Sequence, residues 1–382
     1  MARFLFVVPP LTGHINPTLS VGHLLAERGH EVAWVGHPSK VRPLLGPTDH
    51  LFALEERISR ETLAQLSHKS TTLRGLAAMK FLWEDVLVPL GRSMQPGVRQ
   101  AVRDFSPDVI IADQQGLAGA IVARQTGLAW ATLATSAAGL IEMPLPLVWD
   151  WVLAQLADLQ REAGLDPVER PDISERLMVV FTTTALAGEG DYPDHYRFVG
   201  PSILDRGPET DFPWERLRES KRLLVSLGTV NAERGASFYG KVVEALADEP
   251  VQVILSAPRA LLPALPDNFL ARDYVPQLAL LPHVDAVVCH AGQNTVSEAL
   301  AHGRPLVVTP IKDDQGLIAT QVVNAGAGLR VRWGRLRTAD LQAAIRRVLA
   351  EPSFGEAAAR IQRSFVEAGG AARAADLVEE LL

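Results

Sequence analysis

A chain of 382 residues with a formal net charge of −7 and no lysine- or arginine-rich run argues against a nucleic-acid partner. Its 47% hydrophobic and 21% charged residues exclude extended disorder, and its length exceeds one ordinary core, which predicts two domains. A single cysteine, Cys289, excludes an intrachain disulfide and a multi-cysteine metal site; in its apolar run it reads as a small core residue.

The first ten residues are Met-Ala-Arg-Phe-Leu-Phe-Val-Val-Pro-Pro. The apolar run is too short for a secretion signal, Pro9-Pro10 interrupt it, and no small-residue cleavage site follows. Phe4–Val8 is therefore read as a first strand. No uncharged apolar run is long enough to span a bilayer, which leads to the expectation of a soluble cytoplasmic protein without stable membrane insertion. Next comes Pro9-Pro10-Leu11-Thr12-Gly13-His14-Ile15-Asn16-Pro17. Gly13 suits a tight turn, and Asn16-Pro17 reads as a cap followed by proline in the first helical turn. The helix predicted over Pro17–Arg28 closes on Gly29. His14 then lies between a strand end and a helix N-terminus, whose positive dipole end favours neutral imidazole. Such a histidine can accept a proton from a hydroxyl; the plainer alternative is a capping or packed histidine.

Strand-like runs follow at Glu31–Val35, Val109–Ala112, Trp130–Leu133 and Met178–Thr182, with helical patterns between them. Asp113 ends the Val109–Ala112 run. If that strand neighbours the first, Asp113 can orient His14 and balance its charge; otherwise it is a helix-capping carboxylate. From Arg60 to Arg161 the pattern is least regular and holds Met79, Phe81, Trp83, Met143, Trp149 and Trp151. These are ordinary core anchors or the wall of a pocket for an apolar acceptor.

The Pro- and Gly-rich segment Gly200–Pro213 marks a boundary. It gives an N-terminal domain at 1–200, a linker at 201–220, a second domain at 221–365 and a terminal helix at 366–382. The second half repeats the scheme with Leu223–Leu227, Val251–Ser256, Ala286–Cys289, Leu306–Thr309 and Leu329–Arg332, then helical patterns at Phe354–Ala368 and Ala371–Leu382. Strands alternating with helices predict α/β, doubly wound parallel sheets with ligands at strand C-termini, in the cleft between the two domains. Ser226-Leu-Gly228-Thr229 ends the first strand of the second series. A glycine and a hydroxyl there suit close approach to a phosphate or sugar oxygen, although the segment alone is an ordinary turn.

The densest information lies between Tyr274 and Gln315. The apolar run Ala286–Cys289 leads into Cys-His-Ala-Gly-Gln-Asn-Thr-Val-Ser-Glu-Ala-Leu and a helix predicted from Gln293. A helix N-terminus offers unpaired N–H groups and a positive dipole end to phosphate. His290 ends the strand, Gly292 permits close backbone approach, Asn294 and Thr295 open the first turn, and Glu298 follows one turn after Asn294. That is the chemistry of a nucleotide diphosphate, phosphate on the helix end and ribose on a carboxylate.

This block closely resembles the donor-binding signature of the nucleotide-sugar glycosyltransferases, and with Gly13-His14 the resemblance extends over essentially the whole chain. It implies the GT-B fold, two Rossmann-like doubly wound parallel-sheet domains facing across a cleft, with the last helix crossing back onto the first domain. By the resemblance, Tyr274 would stack on the base, and Gln277 and Glu298 would hold the ribose. His290, Gly292, Asn294 and Thr295 would take the diphosphate with Thr229 beside it, and Asp314 and Gln315 would hold sugar hydroxyls. His14 and Asp113 match the family's catalytic dyad. Two departures, Tyr274 where many relatives carry Trp and Gln293 where plant members carry Trp, leave the choice of base and sugar open. The expected co-substrate is a UDP- or dTDP-sugar. The general look, nearest to bacterial macrolide, polyketide and carotenoid-type members, implies a lipophilic natural-product acceptor, and a homodimer is left open.

The sequence has no Gly-x-x-x-x-Gly-Lys phosphate loop, no complete Gly-x-Gly-x-x-Gly, no Gly-x-Ser-x-Gly elbow and no Asp-x-Asp pair. Asp313-Asp314 could suggest a metal site, but two adjacent side chains usually diverge, so sugar binding through Asp314 is preferred. The expectation is therefore an inverting transferase with no metal and no cofactor, its leaving group stabilised by the helix end and His290. Three rivals stand beside it: a nucleotide-sugar epimerase of the same fold, a non-catalytic nucleotide-sugar-binding partner protein, and C- in place of O-glycosylation.

Overall fold

The computed structural model describes residues 1–55, 69, 73, 75–136, 146–203, 212–228, 235–312 and 314–382. Two compact units emerge. One comprises Met1–Phe181, Asp191–Leu204 and Ala368–Leu382; the other comprises Thr182–Gly190 and Asp205–Glu367.

The first unit is built on β1 (Arg3–Val7), β2 (Glu31–Gly36), β3 (His50–Ala53), β4 (Val109–Asp113), β5 (Ala129–Ala134), β6 (Met178–Val180) and β7 (Tyr196–Phe198). Among the described residues these form one parallel sheet in the order β3-β2-β1-β4-β5-β6-β7. Its central strands are apolar on both faces: Phe4 to Val7 and Val109 to Ile111 are fully buried, as expected when helices cover both sides of a parallel sheet. One face packs Phe4, Phe6, Ile15, Leu19 and Trp34 with Ala374, Leu377 and Val378 of the Gly370–Glu379 helix. The opposite face packs Leu5, Val7 and Ile110 with Leu90, Met94 and Val98. Arg28 and His30 add polar ties from Arg28 to Asp376 and from His30 to Glu379.

The helix after β1 runs Thr12–Glu27. Its end matches the Gly29 expectation: Gly29 adopts φ +87°, with Gly29 N–H on the Ala26 carbonyl and His30 N–H on the Leu25 carbonyl. Its start does not match. The first turn closes on Leu11, which accepts from His14 and Ile15 N–H at 2.9 and 3.0 Å, so Asn16 is not the cap and Pro17 sits inside the helix. Proline forfeits only one bond there, and its own carbonyl is satisfied by the Ser202 hydroxyl at 2.7 Å. Gly13 accordingly lies in the first turn of the helix and not in a tight turn before it.

The second unit is built on β8 (Lys221–Ser226), β9 (Val251–Ser256), β10 (Phe269–Arg272), β11 (Ala286–Cys289), β12 (Leu306–Val308) and β13 (Gly328–Arg330). Among the described residues it too is wholly parallel, in the order β10-β9-β8-β11-β12-β13. In both sheets the order of adding strands switches sides between the first and fourth strand of the series, at β1/β4 and at β8/β11. These switch points open crevices at strand C-termini, where doubly wound folds bind ligands. No described helix is long and apolar enough to cross a membrane.

The aromatic residues of the irregular region divide. Trp83, Trp149 and Trp151 pack, half-buried, around a satellite core of Leu87, Leu117, Ile121, Val152, Leu156 and Leu159. Phe81 is buried, Met79 half-buried, and the Arg170 guanidinium lies 5.2 Å above the Trp149 ring. Met143 lies outside the described residues.

Candidate active site

At the β1/β4 switch point the register pairs Val7 with Ala112, so the chain leaves β1 level with Asp113. The first helical turn after β1 then brings His14 over the end of β4. His14 Nδ1 lies 2.9 Å from Asp113 Oδ1 and 3.0 Å from Oδ2. The Asp113 side chain is fully buried and that of His14 is 13% exposed. A third group closes the arrangement. The Thr135 hydroxyl, just past β5 and 4% exposed, lies 2.7 Å from His14 Nδ1 and donates to Asp113 Oδ2 at 2.5 Å. Gln115 N–H donates to Asp113 Oδ1 at 2.8 Å.

These contacts fix the histidine tautomer. A buried carboxylate accepts, and the Thr135 proton is already directed to Oδ2, so Nδ1 carries a hydrogen shared by Asp113 and the Thr135 oxygen. Nε2 then holds the lone pair. The carboxylate also stabilises the imidazolium that forms if Nε2 takes a proton. Thr135 had no signal in the sequence. It stands 22 residues from Asp113 in the chain, and only the β4–β5 pairing brings the two together.

At the β8/β11 switch point the expected donor residues gather in the second unit. His290 leaves β11, and the Gln293–Ala301 helix begins with Gly292 as its N-cap and Asn294 and Thr295 in its first turn. Burial holds the His290 imidazole at a pKa of about 4, against a smaller opposing effect of the Ser226 backbone. Its Nδ1 is buried near that backbone without a bond of good geometry. At neutral pH the ring is therefore neutral, and an approaching phosphate would favour its protonated form.

Two glycines make room for this ring. A Cβ on Gly292 would stand 2.3 Å from His290 Nε2, and one on Gly228 would stand 2.7 Å from Cε1. Gly228 also needs its glycine for backbone reasons, at φ +68°, whereas Gly292 has the ordinary φ of −70°. The left-handed residue in the β11 turn is Ala291, at φ +65°. The sequence offers Gly292 for close backbone approach; the structure adds that its missing Cβ makes room for the His290 ring, while the unusual backbone belongs to Ala291.

Gln277 Nε2 donates to Glu298 Oε2 at 2.5 Å, which joins two residues 21 apart in the chain. Tyr274 is 56% exposed and leaves its ring face accessible. Asp314 caps the Gln315–Asn324 helix by position, not by a side-chain bond to its backbone. Gln315 is buried, and its Oε1 accepts from Ile311 and Lys312 N–H at 2.9 and 3.1 Å, so it braces the loop after β12. Thr229 and Asp313 lie outside the described residues. Cys289 is fully buried and its thiol is pushed up to about 12, as a core residue would be. No group of three or more His, Cys, Asp or Glu side chains that could hold a metal occurs among the described residues.

Residues 219–366 match the family described as UDP-glucoronosyl and UDP-glucosyl transferase. Over the whole of both chains the sequence is 30% identical to 4'-demethylrebeccamycin synthase of Lentzea aerocolonigenes. It is 28% identical to demethyllactenocin mycarosyltransferase of Streptomyces fradiae, over 100% of this chain and 87% of that one. Among solved structures, the calicheamicin glycosyltransferase superposes with a TM-score of 0.81 at 25% identity, over 100% of this chain and 98% of that chain.

Proposed function

The chain belongs to the nucleotide-sugar glycosyltransferase family, and from that premise we propose that His14 is the general base of an inverting, metal-independent transfer to a small-molecule hydroxyl. The observation that carries this reading is the His14 Nδ1 contact with both Asp113 oxygens. His14 Nε2 takes the acceptor hydroxyl proton while Asp113 balances the charge gained by the ring. The freed oxygen forms a bond to the anomeric carbon. The bond from that carbon to the diphosphate oxygen breaks on the opposite face, its electron pair leaves with the nucleotide diphosphate, and an α-linked donor yields a β-glycoside. His290, Gly292, Asn294 and Thr295 receive the diphosphate, Gln277 and Glu298 hold the ribose, Tyr274 stacks on the base, and Asp314 with Gln315 contacts the sugar.

The donor is a UDP- or dTDP-sugar. Relatives named for demethylrebeccamycin and for demethyllactenocin support a lipophilic natural product as acceptor. A charged diphosphate is costly to bring into a bilayer, so the donor is met in an aqueous compartment, and the cytoplasm is the compartment proposed. Gel filtration decides between a monomer and the homodimer.

The test is His14→Ala. Transfer to an alcohol acceptor should fall by about 10²–10⁴-fold, with the affinity for UDP or dTDP unchanged; turnover near wild type would overturn the base assignment. Sugar isomerisation in donor alone would favour the epimerase, and donor binding without any turnover would favour the non-catalytic reading.

A further inference from the structure

On the far edge of the second sheet, the segment leaving β13 and the Thr338–Ala350 helix flank a solvent-open concavity of about 600 Å³. Five arginines line it, Arg330, Arg332, Arg335, Arg337 and Arg347, against one carboxylate, Asp340. Arg337 is held by both Asp340 oxygens at 2.7 Å, and Arg347 pairs with Glu351 at 2.7 Å. Arg330, Arg332 and Arg335 pair with no carboxylate among the described residues. All three are exposed, so water and salt screen their mutual repulsion, but three like charges lining one concavity still favour an anion there. The concentration is notable in a chain whose formal net charge is −7.

The lining is also held in shape. Trp333 stacks on Phe238 with centroids 5.4 Å apart and planes 29° from parallel. The Leu336 carbonyl accepts from Lys241 Nζ at 2.6 Å, and Val331, Leu336 and Ala344 belong to the buried core. The backbone that carries Arg332 and Arg335 is thereby fixed before a ligand arrives, which lowers the ordering cost of binding. Guanidinium forks match phosphate oxygens in pairs, and the volume lies within the range of small-molecule sites, above the needs of a single phosphate.

We propose that this cavity is an accessory site for a compact soluble oligophosphate, a ligand with two or more phosphate groups. It shares no residue with the 274–315 donor block.

The experiment is titration calorimetry with inorganic pyrophosphate, in chelator and saturating UDP, on wild type and on Arg330→Ala/Arg332→Ala/Arg335→Ala. Wild type should bind, more weakly as salt rises, and the triple variant about tenfold or more weakly. The UDP thermal shift should survive in the variant and shows that it is folded; should it not fold, Arg332→Ala and Arg335→Ala carry the comparison singly. No binding by wild type, or equal binding by the variants, overturns the site. Arginine-dependent flotation on phosphatidic-acid vesicles without pyrophosphate binding overturns a soluble ligand in favour of a headgroup. Pyrophosphate binding is read whether or not UDP binds, so this site and the donor site fail separately.

Discussion

Replacing Gly292 by Ala adds one methyl group where the structure leaves none. The new Cβ would lie 2.3 Å from His290 Nε2, 2.8 Å from Cε1 and 3.3 Å from Cδ2, so the ring must move. The backbone itself accepts alanine, since φ is −70°, which makes the perturbation steric with a small N-cap penalty added. Gly228 borders the same Cε1–Nε2 edge, since a Cβ built there would stand 2.7 Å from Cε1. Overpacking of this kind costs about 1–3 kcal/mol. If His290 holds the diphosphate, displacing it should weaken UDP or dTDP binding by roughly 10–100-fold, on a charge-assisted hydrogen bond worth about 1.5–3 kcal/mol. Titration calorimetry in chelator reads this directly. Unchanged affinity in a folded Gly292→Ala protein would refute the placement of His290 against the phosphate.

The neighbouring substitution should come close to neutral. Ala291→Gly releases a left-handed alanine at φ +65°, worth about 1–2 kcal/mol, against glycine's extra unfolded freedom of about 0.5–1 kcal/mol and the loss of a fully buried methyl worth about 0.8 kcal/mol; a urea midpoint near wild type is expected, and a loss of about 2 kcal/mol or more would contradict the strain. Thr135→Val removes the hydroxyl shared by His14 and Asp113 at nearly constant volume, so kcat should fall about tenfold or more, with its pH profile displaced and KM for donor little changed. Thr135→Ser should restore the profile; a Val variant with wild-type kcat would leave the threonine with a packing role alone. His290 stays neutral in the folded protein down to about pH 4 but gains a proton near pH 6.5 when unfolded. Its contribution is therefore complete above pH 6.5 and is lost as pH falls from there towards 4, so His290→Gln should flatten that part of the stability curve; an identical slope would remove His290 as its cause.

How much of this was legible in the sequence follows from the range of the interactions. The buried runs β1, β4, β9 and β11 announce themselves because strands covered on both faces are continuously apolar. The strands without a sequence signal, His50–Ala53, Tyr196–Phe198 and Phe269–Arg272, are all sheet edges. They are only three or four residues long, and the first two are largely half-buried or exposed, so even the apolar runs in Leu51–Ala53 and Phe269–Ala271 are too short to stand out.

The same rule separates the two sites. The expected donor residues from His290 to Glu298 belong to one local strand–turn–helix, so their types and spacing alone place them at one helix end. Gly29 was legible for the same reason, as a helix end is a matter of a few adjacent residues. Pairing Asp113 with His14, 99 residues away, and adding Thr135, 121 residues from His14, needed the parallel register of β1, β4 and β5. The helix start at Thr12 and the left-handed Ala291 were likewise decided by packing, because the surrounding sheet and helices hold backbone states that local preference alone would not choose.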